Sequence, residues 1–260
     1  MRKYGVKLWS SNIIKSPDLV KDIAKAVNGG VFDFVELFAV PDTFDETAKN
    51  LFNLLHKAKV NIHASHSGFG FDTGNKEKLN QNLKQFNEAQ RFADLFNSPI
   101  IVTHTGMGNL PENIEETIRQ FKTFNDKRIA VENLPSYCSD TYLPLHGITP
   151  EEIKYIKNEA GCMFCFDFSH AICAAHALKM DKFEALKGYA DINPSVYHIS
   201  DGDFNSDFDA HDHFGEGNYP IKEIVEKYSA NDALLTIETG RDMPTGVEPW
   251  VKDMNYLKNI

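Results

Sequence analysis

Short apolar runs alternate with longer amphipathic stretches eight times along the chain, and this repetition constrains the fold more than any other feature. The runs span Gly5 to Trp9, Phe32 to Phe38, Val60 to Ser65, Pro99 to His104, Arg128 to Asn133, Met163 to Asp167, Pro194 to Ser200 and Ala233 to Glu238. Helical patterns fill the gaps: Pro17 to Asn28, Asp45 to Lys59, Lys76 to Phe96, Pro111 to Asn125, Thr149 to Asn158, Ala171 to Tyr189, Ile221 to Tyr228 and Val247 to Lys258. Several of these open with helix-start chemistry, as at Ser16-Pro17, Leu110-Pro111 and Thr149-Pro150-Glu151-Glu152. Eight strand–helix units in 260 residues, with no compositional break to mark a linker, predict an α/β protein: a (β/α)8 TIM barrel, one domain over residues 1–260.

Many of the runs end in a side chain that a hydrophobic core cannot use. Nine metal-type residues stand at or just past strand ends in six successive units: His63, His104, Glu132, Asp167, His170, His198, Asp209, His211 and Glu238. In a barrel of this kind the C-terminal strand ends and the loops after them build the active site, so the nine converge, which predicts a polynuclear metal site. Each also has a plainer reading. Asp167 or Ser169 could cap a helix with His170 exposed. His63 and His104 could be core histidines bonded to backbone. Glu132 and Glu238, set among Val, Ile, Ala and Leu, could pair with lysine, because an unpaired buried glutamate is costly. Asp209 and His211 are two apart, and on an extended segment they would point the same way and clamp one ion.

Around these, Trp9 at the end of the first run is a candidate pocket wall, His66 a candidate substrate contact, and Arg241 the best-placed guanidinium for an anionic group. The loop Ser67-Gly-Phe-Gly-Phe71 combines glycines with two aromatics and could act as a lid, a stacking surface or ordinary packing.

The formal charge of −10, from 27 basic and 37 acidic residues, argues against a generally basic surface for nucleic acid, although bound cations would offset it locally. No apolar stretch reaches membrane-spanning length and the opening MRKYGVKLWSS lacks a secretory apolar core, so no membrane partner and a cytoplasmic location are expected. The four cysteines suit reduced thiols, and Cys162-Met-Phe-Cys165, with no second such pair, is expected to be structural. No GxGxxG follows the first run, and no Walker A or GxSxG motif occurs.

Taken together these residues resemble the xylose isomerase-like TIM-barrel superfamily of sugar isomerases, sugar epimerases and endonuclease IV, from GVKLWSS to the Trp250 to Lys258 helix. In the epimerase-type branch, Glu, Asp, His and Glu from four strands hold one divalent cation, and Glu132, Asp167, His198 and Glu238 match them. The resemblance then implies that Glu132 and Glu238 are catalytic and exchange a proton beside a polarised carbonyl. The endonuclease IV branch adds five ligands to hold three zinc ions that act on a phosphodiester, matched by His63, His104, His170, Asp209 and His211. The motifs depart from that nuclease: HTG replaces HPG, DFSH replaces DTCH and HISDG replaces HLND. No arginine-rich insertion follows the second run, where Glu36-Leu-Phe-Ala-Val-Pro-Asp stands, and His66-Ser67 replaces a tyrosine and hydrophobic pair, which argues against duplex DNA as a partner. The first reading is therefore a metal-dependent isomerase or epimerase of a small sugar or sugar-phosphate, and the alternative a zinc phosphoesterase. The cofactor implied is a divalent metal, zinc before manganese, at one to three ions. The resemblance also implies a homodimer.

Overall fold

The eight strands are β1 (Lys3–Trp9), β2 (Phe34–Phe38), β3 (Val60–His63), β4 (Ile101–His104), β5 (Ile129–Glu132), β6 (Met163–Asp167), β7 (Val196–Ile199) and β8 (Leu234–Ile237). In the computed structural model, which describes residues 1–139, 141–240 and 246–260, they pair in parallel and in sequence order into a closed barrel, with β1 against β8. The helices are α1 (Asn12–Lys15), α2 (Pro17–Asn28), α3 (Phe44–Leu55), α4 (Leu79–Phe96), α5 (Pro111–Phe124), α6 (Pro150–Ala160), α7 (Phe168–Ala177), α8 (Lys182–Ala190), α9 (Ile221–Tyr228) and α10 (Glu248–Lys258).

Three expected helices differ from the sequence reading, one of them Asp45 to Lys59, where α3 ends at Leu55. The stretch from Ala171 to Tyr189 divides into α7 and α8, because Lys179 takes a left-handed conformation (φ 57°) that an α-helix cannot contain. Residues 76–78 form a separate 3-10 turn ahead of α4.

Successive strand residues face opposite sides of the sheet, and the two sides have different chemistry. Outward residues such as Val6, Leu8, Val35, Leu37, Ile62, Val131, Phe164, Phe166, Ile199 and Ile237 join the helices in one large core. A small separate cluster of Ile100, Val102, Ala130, Cys165 and Val196 fills the lower barrel interior. On β1 and β2 the close fit depends on Gly5, where a Cβ would stand 2.3 Å from the Phe34 ring. At the C-terminal end the inward series changes from apolar to polar: His63, His104, Glu132, Asp167, His198 and Glu238. This exchange of a packed layer for a polar one positions the site.

Candidate metal centre

Glu132 lies at the middle of the polar layer, 1% exposed. Its Oε2 is 3.2 Å from His63 Nε2 and 3.0 Å from His104 Nε2. Its Oε1 faces the other way, 3.0 Å from His198 Nδ1. His198 Nδ1 also lies 2.9 Å from Glu238 Oε1 and 3.9 Å from Asp167 Oδ2. A third group stands beside these, with Asp209 Oδ2 2.6 Å from His211 Nε2 and 3.6 Å from His170 Nε2. All nine strand-end residues therefore meet in one cluster.

Local structure aims each donor. The Nδ1–H groups of His63, His170 and His211 donate to the carbonyls of Ala64, Asn133 and Glu238 at 2.6, 2.9 and 2.6 Å, which leaves each Nε2 facing a carboxylate. Asp167 uses its two oxygens differently: Oδ1 accepts the His170 N–H at 2.7 Å and caps α7, while Oδ2 turns to the cluster. Asn133 braces the strand ends, bonding the Asp167 N–H and carbonyl at 2.8 Å each. Asp209 and His211 come together by another route than an extended segment. His211 is left-handed (φ 54°), held there by the Gly240 N–H on its carbonyl at 2.6 Å and by its own bond to the Glu238 carbonyl.

Five buried carboxylates converge here, from Glu36, Glu132, Asp167, Asp209 and Glu238. Among the described residues Lys7 is the lysine that meets them, its Nζ 2.6 Å from Glu238 Oε1. Burial pushes Glu132 up, but His198 and His104 outweigh it and hold the carboxyl well below the usual range. Burial likewise opposes ionisation of Glu238, and His198 and Lys7 prevail to keep it low. Asp167 goes the other way, raised to about 7 by burial with Asp209, Glu132 and Glu238 adding repulsion against the pull of His170. His104 is lowered to about 4 by burial, while Asp209 lifts His211 to about 9 despite burial. So many desolvated carboxylates among imidazoles, with one ammonium, suit divalent cations held by nitrogen and oxygen donors. Among the described residues four groups meet the spacing for a bound ion, including His63–His104–Glu132 and Glu132–Asp167–His170.

A cavity of about 550 Å³ opens above the cluster. Lys7, Trp9, Phe38 and His66 line one side, and Met107, Tyr137, Phe208 and Trp250 line others. The Trp9 and Phe38 rings pack at 5.0 Å, and Phe69 of the glycine-rich loop backs both. His66 is lowered well below its ordinary value by burial, with His104 and His63 adding to the effect. Arg241 lies outside the described residues. The four cysteines form no disulfide, and Cys165 sits inside the barrel beside Glu132 and His198 with its thiol pushed well up by burial. Sequence reasoning missed Lys7 and Glu36. Both stand two positions below a strand's end, and the one available signal was a charged residue inside an otherwise apolar run.

The profile of the family described as xylose isomerase-like TIM barrel matches residues 22–260. A search of curated proteins finds no match. Among solved structures, a D-tagatose 3-epimerase-like protein is 20% identical with a TM-score of 0.72, covering 99% of this chain and 96% of its own. Endonuclease IV from Thermus thermophilus is 18% identical with a TM-score of 0.69, at 99% and 100% coverage. A further protein from Thermus thermophilus, soaked with ZnCl2, is 17% identical with a TM-score of 0.65, at 98% and 98%. At these identities the likeness establishes the fold. No helix among the described residues is long and apolar enough to cross a membrane.

Proposed function

Since the chain belongs to the xylose isomerase-like TIM barrel family, we propose that it is a divalent-metal-dependent enzyme whose centre takes more than one ion and hydrolyses a phosphoester bond in a small substrate. The observation that carries this reading is the division of Glu132, one oxygen toward His63 and His104 and the other toward His198, with a third donor set, His170, Asp209 and His211, alongside. His63, His104 and Glu132 would hold one ion, Glu132, Asp167, His198 and Glu238 a second, and His170, Asp209 and His211 a third. Their mixed imidazole and carboxylate character suits zinc first and manganese second. Bound there, the ions supply Lewis acidity toward a phosphoryl oxygen and offset the charge that develops on it. Lys7 neutralises Glu238 from the cavity side, and the Trp9, Phe38 and His66 wall excludes water from one flank of the substrate. The lined cavity and the net charge of −10 favour a small molecule over duplex DNA.

A second reading, isomerase or epimerase chemistry on a sugar-like substrate, draws on the convergence of Glu132 and Glu238 on one nitrogen, His198 Nδ1. It asks both glutamates to exchange protons with substrate. Glu238 lines the cavity, but Glu132 lies beneath the imidazoles and does not, so its geometry suits holding ions better than touching a carbon. Elemental analysis of the purified protein separates the two readings. Two or three ions per chain, with turnover of small phosphodiesters, is the expected result; one ion and interconversion of ketoses and aldoses would establish the second reading instead.

A further inference from the structure

The imidazoles of the cluster do not all use the same support. His63, His170 and His211 each give their Nδ1–H to a main-chain carbonyl and face the carboxylates with Nε2. His198 is reversed. Its Nδ1 faces Glu132, Glu238 and Asp167, and its Nε2 lies 3.0 Å from both carboxylate oxygens of Glu36. Glu36 is fully buried on β2, a strand that contributes none of the nine donors, and it does not line the cavity. The Thr236 hydroxyl on β8 donates to Glu36 Oε2 at 2.7 Å, which fixes the carboxylate from the far side of β1.

We propose that Glu36 is a positioning residue for the metal centre: it accepts the Nε2–H of His198, selects the tautomer that leaves Nδ1 as donor, and tightens the ion held by Glu132, Asp167, His198 and Glu238. A carboxylate behind an imidazole fixes the ring and makes it a stronger donor than a carbonyl does, and removal of such a partner weakens metal affinity by about 10- to 100-fold. Among the described residues the ring of His198 has no other anchor of this kind. A half-turn about its Cβ–Cγ bond would put Cδ2 in the place of Nδ1 and Cε1 in the place of Nε2, and the Glu36–Thr236 pair opposes it. The inference rests on the metal-centre reading above, but not on the number of ions.

The test is competition of the zinc-loaded protein against a chromophoric chelator, with elemental analysis at saturating zinc, for wild type, Glu36→Gln and Glu36→Met. Glutamine keeps an acceptor oxygen for Nε2–H and methionine does not. Glu36→Gln is expected to weaken one ion by about 10-fold and Glu36→Met by about 100-fold, with full occupancy still reached at saturation. Should general loosening of the fold be the cause, every ion would weaken together and the two variants would behave alike, which would overturn the proposal. Affinity within about threefold of wild type in both variants would also overturn it. So would loss of one ion at saturation, since Glu36 would then be a ligand itself, as its approach to His63 and Glu238 permits. Wild-type protein with a single ion would refute the polynuclear reading while leaving this comparison intact at that ion. Wild-type protein that binds no ion would refute both.

Discussion

His146 allows a pH effect to be worked out away from the cluster. It sits in the loop between β5 and α6, fully buried. Its Nδ1–H donates to the Gly108 carbonyl at 2.8 Å, while its Nε2 accepts from the Thr117 hydroxyl at 2.7 Å and from the Gly106 N–H at 3.2 Å. Both nitrogens are thus committed in the neutral form, and a second proton would displace two donors from Nε2. Burial lowers the imidazole from 6.5 to about 4. Because the folded value is the lower one, the unfolded chain binds the proton first as pH falls. The stabilisation is complete above pH 6.5 and is lost between 6.5 and about 4. The difference of about 2.5, at ~1.36 kcal/mol per pH unit, gives about 3 kcal/mol over the whole window. About 2 kcal/mol of this is gone by about pH 5.

The perturbation is His146→Gln, which does not titrate, and the assay is urea unfolding of chelator-treated protein, so that metal release does not contribute. At about pH 7.5 the variant should be less stable by ~2 kcal/mol, from hydrogen bonds that glutamine reproduces only in part. At about pH 5 the gap should have narrowed by about 2 kcal/mol, since wild type has lost stability that the variant never had. A gap that stays constant within ~0.5 kcal/mol across this range would refute the assignment of a neutral, doubly committed imidazole.

Other outcomes follow from the same structure. Gly5→Ala should destabilise by about 1–3 kcal/mol because its Cβ would stand 2.3 Å from the Phe34 ring; thermal unfolding checks this, and Phe34→Leu in the same chain should recover part of the loss. Glu88 accepts the N–H groups of Asp42, Thr43 and Phe44 at 2.6, 2.5 and 2.6 Å, so Glu88→Ala should cost about 2–3 kcal/mol and speed amide exchange at those three residues. His211→Ala should remove one ion per chain by elemental analysis and leave the others, whereas Glu132→Gln, which alters the carboxylate shared by two donor sets, should lower the ion content further. Equal ion content in these two variants would contradict the division of Glu132 between two sets.

How far the sequence could be read depends on what each residue does to its local pattern. The strand runs were readable because a barrel strand is covered on both sides, so its apolar composition is nearly continuous, and the polar residue that ends it stands out. His63, His104, Glu132, Asp167, His198 and Glu238 were found by that contrast, and β6 matched the expected run residue for residue. The same rule concealed Glu36 and Lys7. A carboxylate within Phe34–Phe38 and an ammonium within Lys3–Trp9 interrupt the runs without ending them, and their partners lie on β7 and at β8, at His198, Thr236 and Glu238, more than 160 positions away in sequence. Asp209 and His211 show the opposite case. Their pairing was readable from spacing, but the extended geometry inferred for them was not what brings them together, because the left-handed turn at His211 is imposed by Glu238 and Gly240. The Glu36–His198 pair shares this origin: long-range packing overrides local propensity and spacing. A charged residue one inward position below the end of a strand that carries none of the candidate donors, as Glu36 lies below Phe38, is therefore the pattern to seek in other chains of this architecture, because there a barrel can hold a group behind the donor cluster without exposing it to substrate.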